Sequence, residues 1–210
     1  MLTSGIYLKN FKKNKKTNSS QVKKNFLLLF KEKNYILNSL KKNYKDSFSK
    51  KIINKYKKYS TFKVIGMGGS TLGTQTIYEF LKDIVKKDFV FIDNLRQKKL
   101  NIKNNKNVNL VVSKSGNTIE TVVNSNIYIR RKDKNIFITE NKDNYLLKLA
   151  NKLKAEIVHH NNYIGGRYSV LSEVGMLPAE LMGLDANKFR QLNSLIKNKQ
   201  FINSLVSGIS

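Results

Sequence analysis

The stretch that decides the fold is residues 62–70, FKVIGMGGS, where a short apolar run rich in β-branched residues ends in glycine and serine. Four further runs of this kind follow, separated by stretches with helical spacing: FVFID (89–93), VNLVVSKSGNT (108–118), NIFIT (135–139) and EIVHH (156–160). Their apolar residues are consecutive rather than alternating, which is typical of strands buried on both faces of a parallel sheet. The pattern therefore predicts an α/β fold with an open, mostly parallel five-stranded sheet and helices on both faces.

The first sixty residues follow a different, basic and helical pattern. Apolar side chains recur at roughly helical spacing within residues 26–40 and again within 52–56, with lysines between them. We expect residues 1–60 to form a basic helical N-terminal region and residues 61–190 to form the α/β domain. Residues 191–210 would begin a helix that leads to a C-terminal half missing from this chain.

The net charge of the chain is strongly positive. Its 210 residues include 40 Lys+Arg against 14 Asp+Glu, which gives +26. Such a balance normally points to polyanions such as nucleic acid. Almost all of this charge is lysine, however, whereas base-edge contacts favour arginine. Lysine also alternates with asparagine along the whole chain, which a coding bias would produce as easily as a binding surface. We therefore treat nucleic acid as the less favoured partner.

Several classes of protein are excluded by what the sequence lacks. The chain has no cysteine, which excludes disulfides, thiolate metal sites and a cysteine nucleophile. Its N-terminal sequence has no apolar segment of signal-peptide length, and no stretch approaches about 18 uninterrupted apolar residues. We therefore expect a cytoplasmic protein without a membrane partner.

The segment with the most chemical information is residues 113–121, SKSGNTIET, directly after a predicted strand. A strand that leads through a glycine turn into a helix leaves backbone N–H groups pointing outward at the positive end of the helix dipole, which suits a phosphate. Hydroxyls and a lysine add donors and charge, and Gly116 lets the backbone approach the phosphate oxygens. The alternative is an N-cap rich in hydroxyls, with Thr118 and Glu120 in a capping arrangement.

A second glycine-rich turn, GMGGSTLG (66–73), follows the first predicted strand. It begins a G-x-G-x-x-G fingerprint, and Asp93 ends the next strand, but the later glycines do not fit the frame of a dinucleotide site. The lysine-containing P-loop pattern is absent from the sequence. Since the carboxyl ends of parallel strands lie at one edge of a sheet, we expect the loops at Ser70 and Ser113 to share a ligand.

A third segment, residues 165–178, indicates which family of proteins the sequence resembles. Residues 165–172, GGRYSVLS, followed by VGMLP (174–178), resemble a signature of the glucose-6-phosphate isomerase family. IGMGGSTLG and VVSKSGNTIET precede them in the order and at the spacing of that family, so the resemblance covers about residues 60–185. It implies that residues 61–190 form a sugar isomerase (SIS) domain with a flavodoxin-like sheet, in the N-terminal portion of the enzyme.

The resemblance also implies a reaction. Glucose 6-phosphate and fructose 6-phosphate would be interconverted through a cis-enediolate, in glycolysis or gluconeogenesis, with no cofactor and, in the complete enzyme, as a homodimer. Arg167 matches the family's Gly-Gly-Arg arginine, which would act as a catalytic residue by stabilising the enediolate oxygen; its alternative is a structural salt bridge at a helix start. By the same carry-over, with Thr121 as a weaker member, the substrate-binding residues would be Gly69, Ser70, Ser113, Lys114, Ser115, Gly116, Asn117 and Thr118.

Two features depart from the family pattern. Glu173 stands where the family more often has a small residue, which we interpret as a helix-surface variation in preference to a local charge partner. The family's proton-transferring glutamate, ring-opening histidine and late lysine belong to a second domain and have no match in this chain. His159 and His160 are expected to have a structural role at a strand end, and neither Glu79 nor Glu120 is a convincing base.

Three functions remain open on the sequence. The first is a glucose-6-phosphate isomerase that is active only with a missing half. The second is a stand-alone SIS module that binds a phosphosugar without catalysis, and the third, least favoured, is nucleic-acid binding. The Gly-Gly-Arg motif favours the first, because a sensor has no need for a residue that stabilises an enediolate.

Overall fold

A computed structural model describes residues 19–95, 107–130 and 132–209 of the chain. The chain divides into two compact units: residues 45–186, and a unit formed by residues up to 44 with those from 187 onward. The beginning of the predicted basic N-terminal region, residues 1–18, lies outside the described residues. The domain boundaries expected at residues 60 and 190 stay predictions.

The elements alternate between strand and helix through the middle of the chain. In chain order they are α1 (Ser19–Leu29), α2 (Tyr35–Ser39), α3 (Lys50–Tyr56), β1 (Thr61–Gly66), α4 (Leu72–Phe80), β2 (Asp88–Ile92), β3 (Asn107–Val112), α5 (Ile119–Tyr128), β4 (Lys134–Thr139), α6 (Tyr145–Lys152), β5 (Glu156–His159), α7 (Glu173–Leu181), α8 (Ala186–Phe189), α9 (Leu192–Leu195) and α10 (Lys199–Ile209). Two single 3-10 turns, Gly68–Ser70 and Gly166–Tyr168, follow β1 and β5.

The five strands form one parallel sheet in the order β2-β1-β3-β4-β5. This confirms the open parallel sheet that the apolar runs predict, and the strand order is the flavodoxin-like one. In such a sheet the strand order reverses between β1 and β3, and ligands bind outside the carboxyl ends of these two strands. The register pairs Gly66 with Val112, the last residues of the two strands, so the loops after them start side by side.

Helices cover both faces of the sheet, which is why the strands are apolar on consecutive residues. One face presents Ile65, Val111 and Phe137 to a core completed by buried residues of α5 and α6. On the other face Phe62 stacks on Phe89 with ring centroids 4.9 Å apart, and Tyr78 of α4 contacts Phe89 at 5.5 Å. The predicted covering of both faces is confirmed.

A polar pair interrupts the apolar sheet at its centre. Asn109 and Asn135 are paired in the register of β3 and β4 and are both buried. The Asn109 side-chain amide donates to the Asn135 side chain at 2.7 Å and to the Asp133 carboxylate at 3.1 Å. Because a shift of one residue would leave these groups buried without partners, the contacts favour the observed register.

The second unit is helical in its described part. Helices α1 and α10 pack together. Asn34 caps α2 by accepting the N–H groups of Ile36 and Leu37 at 2.9 and 3.2 Å. The buried Arg190 guanidinium lies 4.9 Å from the ring centroid of Tyr44. From Ser19 onward, the expected helical character of the N-terminal region is therefore present.

Among the described residues, no helix has both the length and the apolar character needed to cross a membrane.

Candidate functional site

The two glycine-containing loops lie at the same edge of the sheet, as the sequence predicts. The turn with Gly69 and Ser70 follows β1, and the loop from Ser113 to Thr118 follows the neighbouring strand β3. A Cβ atom at Gly66 would lie 2.7 Å from the carbonyl oxygen of Val112, so a glycine is needed where the two strands end.

The hydroxyls of the loop after β3 contact one another. The Ser113 and Thr118 hydroxyls are 3.0 Å apart, and those of Ser115 and Thr118 are 3.5 Å apart. Thr118 occupies the N-cap position of α5, but its side chain makes no capping hydrogen bond in the described structure. The hydroxyl-rich N-cap alternative therefore loses the hydrogen bond on which it depends, while a group of hydroxyls remains at the start of a ten-residue helix.

The loop after β3 packs against the start of α6 and is hydrogen-bonded to it. Gly116 has a φ of +66° and packs so closely that a Cβ there would lie 1.9 Å from the Asn144 side-chain oxygen. Asn144 in turn caps α6 by accepting the N–H of Leu147 at 2.8 Å. The Asn117 side-chain oxygen accepts the N–H of Tyr145 at 2.9 Å. Sequence reasoning missed this support, although an asparagine before an apolar helical run is a recognisable N-cap signal.

Two backbone N–H groups of the loop are already engaged. Gly116 N donates to both the hydroxyl and the carbonyl oxygen of Ser113, each at 3.2 Å, and Asn117 N donates to the Ser115 hydroxyl at 3.3 Å. A phosphate bound in this loop would compete with these long intraloop bonds. The loop conformation is therefore already formed, and its N–H groups could exchange these acceptors for the oxygens of an anion.

The Lys114 ammonium contacts two residues in other segments of the chain. Its ammonium donates to the Asn162 carbonyl oxygen at 2.7 Å and lies 3.2 Å from the Glu140 carboxylate. Burial raises the pKa of Glu140, but hydrogen bonds from Lys142 and Lys114 outweigh burial, and the net shift of that pKa is downward. Lys114 thus joins the loop after β3 to the end of β4 and to the segment after β5.

The turn after β1 packs directly against the segment that carries Arg167. A Cβ at Gly69 would lie 2.3 Å from the carbonyl oxygen of Gly166. The Ser169 hydroxyl donates to that same carbonyl at 2.7 Å. Close packing between two backbones, rather than a dinucleotide phosphate, thus accounts for the glycine at position 69.

A cavity of about 400 Å³ opens beside this contact. Its lining includes Gly69, Leu72, Gly73, Gly166, Arg167 and Val170. Arg167 is exposed, and within the described residues it forms no ion pair, which removes the salt bridge expected as its structural alternative. No acid or histidine lines this cavity among the described residues.

Glu173 corrects an expectation from the sequence. It is 1% exposed, so its interpretation as a helix-surface variation is wrong. Its carboxylate accepts the Asn161 N–H at 2.6 Å and lies 2.8 Å from Nδ1 of His160, which is also buried. Burial raises the pKa of Glu173, but the bonds from His160 and Asn161 outweigh burial and lower that pKa overall. The side chain is a local charge partner, the alternative that the sequence disfavoured.

The remaining acids and histidines lie apart from the cavity lining. His159 is exposed, and its carbonyl accepts the Ser47 hydroxyl at 2.6 Å. Glu79 pairs with Lys82 on the surface at 3.5 Å, and Glu120 lies in the first turn of α5. Thr121, the weaker candidate, is fully buried. The structure thus brings the three motifs together but adds no base beside Arg167 within its described part.

Comparisons with solved structures show which known proteins share this fold. A hypothetical protein from Thermus thermophilus aligns with a TM-score of 0.70 and 21% identity, over 90% of this chain and 51% of that one. Tagatose-6-phosphate ketose/aldose isomerase from Escherichia coli aligns with a TM-score of 0.55 and 15% identity, over 77% of this chain and 47% of that one. The fold is that of the SIS domain.

Comparisons of sequence identify the family. The family model described as phosphoglucose isomerase matches residues 32–204. Glucose-6-phosphate isomerase from Methanocaldococcus jannaschii is 32% identical over 186 residues, which cover 75% of this chain and 44% of that relative. The chain belongs to the phosphoglucose isomerase family, and it spans less than half the length of three curated relatives that it matches.

Proposed function

We propose that this chain supplies the N-terminal, phosphosugar-binding part of a glucose-6-phosphate isomerase. The observation that carries the proposal is the convergence of three motifs at one edge of the sheet. The Gly69 turn contacts the Gly166 backbone, and Lys114 contacts the Asn162 carbonyl, so the segment with Arg167 meets both loops. Membership of the family supports the same reaction, the interconversion of glucose 6-phosphate and fructose 6-phosphate.

In this proposal the loop after β3 holds the sugar phosphate. The Thr118 hydroxyl lies within hydrogen-bond range of the Ser113 and Ser115 hydroxyls at the start of α5, where the helix dipole favours an anion. Gly69 and Ser70 would contact the phosphate or the sugar chain. The charge of Lys114 is shared with Glu140, so this lysine would contribute less to phosphate affinity than its position in the motif suggests.

Arg167 acts on the intermediate in this mechanism. Proton transfer from C2 creates negative charge on the enediolate oxygens, and a guanidinium held beside them stabilises that charge. The exposed side chain of Arg167 borders the cavity without an ion pair in the described structure, so its positive charge is available to such an anion. The proton carrier would come from outside the described cavity lining.

The phosphate part of the proposal can be tested by titration calorimetry with glucose 6-phosphate. The wild-type chain should bind with an affinity that falls as salt is added, since the attraction between exposed charges is screened. The double variant Ser115→Ala/Thr118→Ala should bind at least tenfold more weakly, a loss of about 1.4 kcal/mol for two hydroxyl contacts. Ser204→Ala, which removes an exposed hydroxyl from α10, is the control. Equal affinity of the double variant and wild type would reject the phosphate loop.

A stand-alone phosphosugar-binding module is the second candidate, favoured by the absence of an acid or histidine from the described cavity lining. The two functions differ in proton exchange. A chain that carries a working base exchanges the C2 proton of glucose 6-phosphate with deuterated water, whereas a binding module leaves that proton in place. Because this chain is expected to lack the proton carrier in either case, proton NMR of the sugar during incubation with the full-length protein distinguishes them. Exchange would favour the enzyme, and retention of the C2 proton would favour the binding module.

Three expectations from the sequence stay predictions: the complete enzyme is a homodimer, the protein is cytoplasmic, and the reaction needs no cofactor.

A further inference from the structure

The segment between β5 and α7 is a loop whose two ends are tied together. It runs from His160, which continues the sheet by donating its N–H to Thr139 O at 2.8 Å, to Glu173 in the first turn of α7. The Glu173 carboxylate spans the ends, 13 residues apart, by reaching both His160 Nδ1 and Asn161 N. Arg167 lies near the middle of the closed loop.

The two side chains that connect the ends of the loop are buried, and the direction of their hydrogen bond is defined. His160 is 3% exposed and Glu173 is 1% exposed. A carboxylate can only accept at this point, so the geometry assigns the imidazole proton to Nδ1. His160 Nε2 is buried without a hydrogen-bond partner among the described residues, which leaves Glu173 as the group that orients the ring. A small side chain at position 173, as in the motif that this chain otherwise matches, could make neither bond.

The rest of the loop is held by neighbours that form the proposed site. Lys114 binds the Asn162 carbonyl, and Gly166 rests against Gly69. Arg167 itself is exposed and has no ion pair in the part of the chain that the structure describes. Its position therefore depends on how firmly the backbone on either side is anchored. Glu173 anchors both sides at once.

We propose that Glu173, with His160 as its donor, is a positioning residue that holds the Arg167 loop in the geometry needed to bind the charged intermediate. This rests on the proposed function, because it requires that Arg167 meet an anionic oxygen of the ligand. Glu173 touches no substrate in this role. It acts through the backbone of residues 160–168.

The test compares two ligands of different reach by calorimetry on the 210-residue chain. Inorganic phosphate probes the loop after β3 alone. 5-Phosphoarabinonate adds a carboxylate that mimics the charge of the enediolate and should also meet Arg167. Glu173→Gln should weaken 5-phosphoarabinonate about tenfold while phosphate affinity stays unchanged, since a misplaced charged group loses affinity steeply. Glu180→Gln, on the same helix with its partner Lys50 at 2.9 Å, should change neither.

Two further comparisons separate positioning from simple stability. In an Arg167→Ala background, Glu173→Gln should cause no additional loss for 5-phosphoarabinonate, because the effect passes through the arginine. His160→Asn retains a side-chain N–H near the Nδ1 position and should keep wild-type affinity, whereas His160→Ala should resemble Glu173→Gln. The His160 pair keeps the proposal testable if Glu173→Gln does not fold.

The outcomes separate the two proposals. If the wild-type chain binds neither ligand, the proposed function fails, and the positioning role fails with it. If it binds both, and Arg167→Ala weakens 5-phosphoarabinonate but Glu173→Gln and His160→Ala do not, the positioning role alone is overturned. An equal loss for both ligands in Glu173→Gln would also overturn it, because that result reports a general loss of structure.

Discussion

At the scale of single residues, the site depends on close contacts at two glycines, Gly69 and Gly116, where an added Cβ would clash. Gly69 and Gly166 meet where the turn after β1 touches the segment with Arg167, and Gly116 rests on Asn144. Such contacts join motifs that are about 100 residues apart in the chain, as the Ser169–Gly69 bond shows. The glycines of the sequence motifs are therefore explained as much by packing between loops as by access to a ligand.

Gly69→Ala should destabilise the chain and weaken ligand binding together. The new Cβ would lie 2.3 Å from the Gly166 carbonyl oxygen, so one of the two backbones must shift. Overpacking of this kind costs about 1–3 kcal/mol. Urea denaturation measures the loss in the free energy of unfolding. Gly208→Ala is the control, since its Cβ meets nothing within 4 Å, and it should not lower stability. Equal midpoints for Gly69→Ala and wild type would contradict the packing argument.

The buried Glu173 should make stability depend on pH in acid. Its pKa in the folded chain lies below the ordinary value of 4.5, so the folded state binds this proton more weakly than the unfolded state. The stabilisation is present above pH 4.5 and is lost as pH falls through the folded pKa. Urea midpoints measured from neutral pH down to about pH 3 should fall more steeply for wild type than for Glu173→Gln. Parallel curves for the two proteins would contradict this.

At the scale of elements, the sheet was predictable and the supports of its loops were not. Consecutive apolar residues indicate parallel strands because both faces are covered, and all five predicted strands are present, from Thr61–Gly66 to Glu156–His159. The contacts of Glu173, Lys114 and Asn117 join different elements, and no local spacing encodes them. The sequence alone therefore placed Glu173 on a helix surface, since one glutamate in a first turn is usually an exposed, dipole-favoured residue.

The start of α6 offers a prediction about an element that supports the site. Asn144→Ala removes the cap bond to the Leu147 N–H and should cost about 1 kcal/mol of stability. Because Asn144 also lies against Gly116, the variant should weaken phosphate binding in calorimetry. Asn34→Ala removes the matching cap of α2 and should lower stability without changing phosphate affinity. If both variants bind phosphate like wild type, α6 does not support the loop.

At the scale of the whole molecule, the chain combines the proposed binding edge of the sheet with large exposed apolar side chains. Leu72, Phe80 and Ile84 are 55%, 85% and 65% exposed within the unit of residues 45–186. The curated relatives that the chain matches are more than twice as long as the matched segment. The lysines that give the charge of +26 are distributed along the entire sequence.

The division of labour proposed for this chain leads to a prediction about turnover. In the proposed function the 210-residue chain supplies phosphate binding and a guanidinium for the enediolate, whereas its described cavity lining holds no acid or histidine. A positioned general base contributes about 10²–10⁴-fold to such a reaction, so the chain alone should bind phosphosugar with little or no isomerisation. A coupled assay for fructose 6-phosphate measures this, and robust turnover by the purified chain would reject the division.

In the full-length enzyme, Arg167→Ala should lower kcat by about 10²–10³-fold with a small change in KM, because the charge that it opposes develops in the transition state. An unchanged kcat in that variant would remove Arg167 from the mechanism.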